Sequence, residues 1–126
     1  MRHNESTENY LEAILILSKR LPVVRSIDIA NFLKFSKPSV SVAMKNLRAS
    51  EKITVSDAGY ITLTKSGLAI AESVYERHEF FTKWLTELGV DPQTAAEDAC
   101  SLEHRISEES FLAIKKHLSS HHSFRG

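Results

Sequence analysis

The stretch that decides the fold is "FSKPSVSVAMKNLRASEKITVSDAGYITLT", Phe35 to Thr64. In its first half Val40, Met44 and Leu47 recur at helical spacing, so one stripe of this segment is apolar. Ser36 is placed to cap that helix, and Pro38 stands in its first turn, where a missing N–H costs nothing. The second half changes period. Ile53/Val55 and Ile61/Leu63 alternate on either side of Asp57–Gly59, the pattern of a hairpin with turn residues at its tip. Just upstream, "RSIDIANFL" (Arg25–Leu33) predicts a short helix with Ile27, Ala30 and Leu33 on its apolar side and Ser26 as its cap. Two short helices joined by a tight connection and followed by a hairpin make a winged helix-turn-helix.

Working outward, Tyr10, Leu11, Ile14, Leu15 and Leu17 predict a first helix, capped by Ser6 or Thr7 and stopped by Leu21–Pro22. Beyond the hairpin, Thr64–Gly89 reads as one long helix closed by its glycine. "VDPQTAAEDACSLEHRI" (Val90–Ile106) opens with Asp91 as cap and Pro92 at the first helical position. "SEESFLAIKKHL" (Ser107–Leu118) starts with Ser107 and an acidic first turn, which suits the helix dipole. The fold class is therefore mostly α: a winged helix-turn-helix with a two-strand wing over residues 1–66, then a helical domain over 67–126. The last residues, His121 and His122 among them, read as a frayed tail and a poor scaffold for ligands.

Composition sets the outer bounds. An apolar fraction of 42% with 25% charged residues is ordinary for a globular chain. A single cysteine excludes an intramolecular disulfide and fits a reducing, cytoplasmic setting. The N-terminus is polar and the run Ala13–Leu17 is far too short to span a bilayer, so neither a signal peptide nor a membrane partner is expected. Net charge is formally zero but uneven. Lys34, Lys37, Lys45, Arg48 and Lys52 face Glu51 alone, whereas seven acidic residues between Glu87 and Glu109 face Arg105 alone. Such a division suits an anionic partner for the first segment and cations for the second.

The basic segment coincides with the second helix of the motif. Lys37, Pro38, Ser39, Ser41, Val42 and Lys45 lie off its apolar stripe and are the candidate contacts to double-stranded DNA. Serines reach bases or phosphates without bulk, lysines neutralise phosphates, and an exposed valine can meet a thymine methyl. The short wing is suited to touching backbone.

The acidic segment holds "EDACSLEHRIS", Glu97–Ser107. On a helix, Cys100, Glu103 and His104 are neighbours, and a thiolate, a carboxylate and an imidazole together have the composition of a metal site. Asn9 and Glu12 lie three apart on the first helix, and His78 interrupts the long one, so three helices offer N, O and S donors. The last two helices also carry Ala95, Ala99, Leu102, Ile106, Phe111, Leu112 and Leu118, more apolar surface than a small domain covers alone. That surplus predicts a two-fold homodimer on a pseudo-palindromic operator.

The segments "ENYLEAI", "FSKPSVSVAMKNL", "GYITLTKSG", "RHEFFTKWL" and "DACSLEHRIS", in order from Glu8 to Leu118, closely resemble the diphtheria toxin repressor family of metal-dependent bacterial repressors. The resemblance implies a winged helix followed by a metal-binding and dimerisation domain, with divalent iron or manganese as co-repressor and Co²⁺, Ni²⁺ or Zn²⁺ as substitutes in vitro. An end at Gly126 resembles the shorter, manganese-regulator branch, without the SH3-like domain of some members. Carried over by position, a first site uses Asn9, Cys100, Glu103 and His104, and a second uses Glu12 and His78 with Glu103 and Cys100 shared. Cys100 is the choice of the iron branch, where the manganese branch has glutamate, while Glu12 is the manganese-branch choice. Asn9 stands where those branches resemble methionine and aspartate respectively. Thr82 and Ala96 occupy places where the iron branch builds an ancillary site from glutamate and histidine, so that site is not expected. The implied function is a metal-activated (Fe²⁺ or Mn²⁺) repressor of metal-uptake genes. A Cys100 thiolate and a neutral Asn9 would put Fe²⁺ slightly ahead of Mn²⁺, whereas ligation through the Cys100 backbone carbonyl is the alternative. The competing readings are a winged-helix regulator answering to a non-metal ligand or to redox change at Cys100, a small metalloenzyme, and a structural adaptor.

Overall fold

The computed structural model describes residues 4–120; His121 and His122 lie outside the described residues. Among these residues six helices and one two-stranded sheet follow in the order α1 (Glu5–Ser18), α2 (Ser26–Leu33), α3 (Lys37–Ala49), β1 (Ile53–Val55), β2 (Ile61–Leu63), α4 (Lys65–Glu87), α5 (Pro92–Leu102) and α6 (Glu108–Ser120). Two compact units divide within α4, between Ser73 and Val74.

In the N-terminal unit α1 packs against α2, α3 and β2, and α3 packs against β1. Helix α1 begins earlier than its hydroxyl residues suggested. Its cap is Asn4, whose Oδ1 accepts the Thr7 N–H at 2.7 Å, and the helix ends at Ser18. Helix α2 likewise starts one residue earlier than expected, with Ser26 inside it and Arg25 at the cap position; the Arg25 N–H donates to Asp28 Oδ2 at 2.9 Å. Its buried face is Ile29 and Ala30, not Ile27, which is exposed. Ile29 stands four residues before Leu33 and one before Ala30, so the face that meets the core runs through it. Lys34 takes a left-handed conformation (φ 61°) that ends α2 and starts the tight connection to α3. Ser36 caps α3 as expected, accepting the Ser39 N–H at 3.3 Å, and Val40, Met44 and Leu47 are buried.

The strands pair antiparallel with Ile53 opposite Leu63 and Val55 opposite Ile61. Gly59 supplies the positive φ (86°) of the hairpin loop, and the Ser56 N–H donates to the Tyr60 carbonyl at 3.0 Å. Thr64 then joins wing to helix. Its N–H donates to the Lys52 carbonyl, its hydroxyl donates to the Glu51 carbonyl, and the same oxygen accepts the Gly67 N–H in the first turn of α4.

The C-terminal unit is a helical layer around Phe80, Phe81, Ala99, Phe111 and Leu118, with Trp84, Ile106 and Ile114 against them. Phe111 meets Phe80 edge-on at 5.3 Å between ring centroids and so ties α6 to α4. Burying Phe81 and Phe111 contributes roughly 1.5–3 kcal/mol each before entropy is counted. Gly89 (φ 101°) closes α4, Asp91 Oδ2 caps α5 through Gln93 and Thr94, and Ser107 Oγ caps α6 through Ser110. Helix α5 stops at Leu102, four residues short of the expected Ile106. Among the described residues no helix is long and apolar enough to cross a membrane.

Candidate metal centre and nucleic-acid interface

The C-terminal unit brings four of the sequence candidates together. Cys100 lies in the last turn of α5, Glu103 is the residue that caps its end, and His104 follows in the connection to α6. The early helix end does not part them, because Glu103 keeps helical dihedrals and its N–H still reaches the Ala99 carbonyl. One ligand atom each from Cys100, Glu103 and His104 lies within 4.8 Å of the others. His78 joins from α4, with Nδ1 3.0 Å from Glu103 Oε2, while His104 Nε2 stands 3.3 Å from Glu103 Oε1. The carboxylate therefore offers one oxygen to each imidazole.

Electrostatics fit a cation at this point. The Glu103 side chain is 0% exposed and that of His104 is 1% exposed. Burial pushes the Glu103 carboxyl up, but hydrogen bonds and charge from His104 and His78 outweigh it and hold the group below the ordinary carboxylate range. A charged carboxylate is thus kept away from water with two imidazoles and a thiol at hand. Around an ion at about 2.0–2.3 Å from each donor, donors stand roughly 3–4 Å apart, so these residues could close on a dication with small movements. Two nitrogens, a carboxylate and a sulfur form a borderline-soft set, suited to Fe²⁺, Co²⁺ or Zn²⁺ and less to Mn²⁺.

Asn9 and Glu12 lie one turn apart on α1, in the N-terminal unit, with Asn9 half-buried and Glu12 buried. On α3, the residues Lys37, Pro38, Ser39, Ser41, Val42 and Lys45 are all exposed, Val42 by 60%. Ser39 also shares a hydrogen bond with Ser36 across the helix start (2.8 Å). The seven expected dimer residues divide. Ala95, Ala99, Phe111 and Leu118 are buried within the protomer, because the faces that carry them are already covered there. Leu102 and Leu112 remain exposed, at 39% and 50%, and Ile106 is half-buried.

Sequence reading missed Arg77. It is buried beside His78, and it donates to the carbonyls of Glu103 and Ile106 and to the Glu108 carboxylate. The signal was present: Val74, Arg77 and Phe81 share the apolar stripe of α4, and an arginine on such a stripe needs partners.

Comparison with known proteins supplies the family. The model described as "Iron dependent repressor, N-terminal DNA binding domain" matches residues 3–66. The model described as "Iron dependent repressor, metal binding and dimerisation domain" matches residues 64–123. The transcriptional regulator MntR of Escherichia coli is 32% identical over 117 residues, covering 93% of this chain and 76% of MntR. An uncharacterised helix-turn-helix regulator of Methanocaldococcus jannaschii is 31% identical over 114 residues, covering 89% of this chain and 91% of its own length. The solved structure of the manganese regulator SloR superposes with a TM-score of 0.78 at 29% identity, over 94% of this chain and 55% of SloR. The chain thus spans just over half the length of SloR. These relatives are regulators of transcription and not enzymes. With both family models matched in order along it, a winged helix at its start and an N/O/S donor cluster around the buried Glu103 in its second unit, the chain belongs to the diphtheria toxin repressor family of metal-dependent transcriptional regulators.

Proposed function

We propose that this protein is a homodimeric, cytoplasmic repressor of metal-uptake genes that binds a pseudo-palindromic DNA operator when loaded with Fe²⁺ or Mn²⁺. The observation that carries the reading is the Glu103 carboxylate, withdrawn from water and offering one oxygen to His78 and the other to His104. Such a carboxylate can serve two adjacent sites. Cys100, Glu103 and His104 with Asn9 would hold the first ion; His78 and Glu12, sharing Glu103, would hold the second. We assign residues 1–66 to DNA and 67–126 to metal and dimerisation, a division supported by the family models matched at 3–66 and 64–123. Of the seven expected dimer residues, Leu102, Leu112 and the exposed edge of Ile106 remain to serve the dimer.

The bound dication supplies positive charge that draws carboxylate, imidazole and thiolate donors into one shell. Everything else falls to the chain. Asn9 and Glu12, as ligands carried by α1, would tie the winged helix to the helical unit and fix the spacing of the two α3 helices in the dimer. Lys37 and Lys45 would neutralise phosphates, with Ser39, Ser41 and Val42 against base edges. Activation then requires only that the ion bind the DNA-competent arrangement more tightly than the others. The likeness to SloR, a manganese regulator, favours manganese, and Glu12 agrees with it. The sulfur of Cys100 and the neutral Asn9 favour Fe²⁺, which we place ahead of Mn²⁺.

The test is DNA binding by the intact protein to its own promoter in chelator, then with Fe²⁺, Mn²⁺, Co²⁺ or Zn²⁺ added singly. Binding that appears only with metal supports the reading. Full binding in chelator would overturn it in favour of a non-metal or redox signal.

A further inference from the structure

The buried guanidinium of Arg77 has no task in the centre just described, yet it touches what carries it. Its Nη1 donates to the Ile106 carbonyl at 2.9 Å and to the Glu103 carbonyl at 3.3 Å. Its Nη2 donates to Glu108 Oε1 at 2.5 Å, and its plane lies over the Phe111 ring, 5.3 Å from the centroid. One side chain on α4 therefore takes the carbonyl of Glu103 at the C-cap of α5, where helical partners run out, the carbonyl of Ile106 in the connection that follows, and the acidic first turn of α6. Arg77 is also the immediate neighbour of His78, while Glu103 and His104 begin the connection that it grips.

We propose that Arg77 is a positioning residue of the metal centre, a role that rests on the metal-centre reading above. It locks the turn bearing Glu103 and His104 against the turn of α4 bearing His78. The carboxylate and both imidazoles are thereby set at ligand spacing before any ion arrives. The task requires arginine. A planar fork meets carbonyls and a carboxylate in fixed directions and stacks on an aromatic face, whereas a lysine ammonium is a point charge without that geometry. Phe111 is itself held by Phe80 edge-on and by Lys115 at 5.8 Å from the ring centroid, so the surface under the guanidinium is firm. Residues that orient metal ligands in this way typically cost roughly 10–100-fold in metal affinity when removed.

The experiment is a Co²⁺ titration of the full chain followed by visible absorption, for wild type, Arg77→Met and Arg77→Lys, with thermal melts of each metal-free protein. Wild type should show ligand-field bands. Arg77→Met should bind Co²⁺ roughly 10–100-fold more weakly with displaced bands, and Arg77→Lys should recover part of the loss. Wild-type affinity and wild-type bands in Arg77→Met, whatever its melting temperature, would overturn the proposal and leave Arg77 a purely structural residue. If Arg77→Met fails to fold, Arg77→Lys decides: weaker binding with displaced bands supports positioning, and wild-type values overturn it. No Co²⁺ bands in the wild type would instead bring down the reading of the centre, and this inference with it.

Discussion

Gly67 offers the sharpest test of how the wing is joined to the rest of the protein. A Cβ at this position would stand 2.0 Å from the Lys52 carbonyl oxygen and 3.0 Å from the carbonyl carbon. Since Cβ atoms essentially never approach within 3.0 Å, a methyl here requires a backbone shift of about 1 Å. The Lys52 carbonyl is poorly placed to give way. It accepts the Thr64 N–H at 3.0 Å, and the Lys52 N–H donates to Leu47 at 2.9 Å. Glu51, just before it, already holds a left-handed conformation (φ 61°). Overpacking of this kind costs about 1–3 kcal/mol, and loosening one backbone hydrogen bond costs about 0.5–1.5 kcal/mol more. Against that, alanine is preferred to glycine in a helix by about 0.8–1.0 kcal/mol. The steric side wins, and Gly67→Ala should destabilise the winged-helix unit by roughly 1–3 kcal/mol. In a domain of this size each kcal/mol lowers the melting temperature by about 4–8 °C. Urea and thermal unfolding followed by circular dichroism measure the loss directly. Operator affinity should fall with it, because the displaced carbonyl stands at the base of β1. A Gly67→Ala protein as stable as wild type, or more so, would refute the close approach and the clamp built on it.

Three further outcomes are expected. Lys45→Ala should weaken binding to operator and random DNA alike and reduce the slope of log K against log salt by about 0.9; an unchanged slope would remove Lys45 from the phosphate contacts. His104→Ala should abolish metal-dependent DNA binding while the metal-free protein keeps its helical circular dichroism, and persisting activation by metal would exclude His104 as a ligand. Cys100→Glu should harden the donor set and shift activation from Fe²⁺ toward Mn²⁺, measured by DNA binding at graded concentrations of each ion. Equal activation by both metals before and after that change would show that the sulfur does not choose the metal.

What could be read from the chain alone were the features decided within a few residues. Ser36 and Pro38 start α3, Gly59 turns the hairpin, Asp91 and Ser107 start the last two helices, and Val40, Met44 and Leu47 point inward, all from short-range chemistry. The grouping of Cys100, Glu103 and His104 belongs here too, because the helical dihedrals of Glu103 carry the helical neighbour spacing one residue past the end of α5. Other features waited for tertiary structure. Ile27 and Ile29 are the same residue type two positions apart, and only packing in the winged-helix unit selected the second for burial. Ala95, Ala99, Phe111 and Leu118 looked available to a partner until folding covered them within the protomer. Arg77 is the fullest case. Its partners Glu103, Ile106 and Glu108 lie 26 to 31 residues downstream, and its side chain is buried only because those carbonyls and that carboxylate arrive to meet it. Caps, turns and helical neighbours are local hydrogen-bond and steric problems that a short segment solves alone. Burial depends on which distant surface comes to lie against each residue, and the chain determines that only as a folded whole.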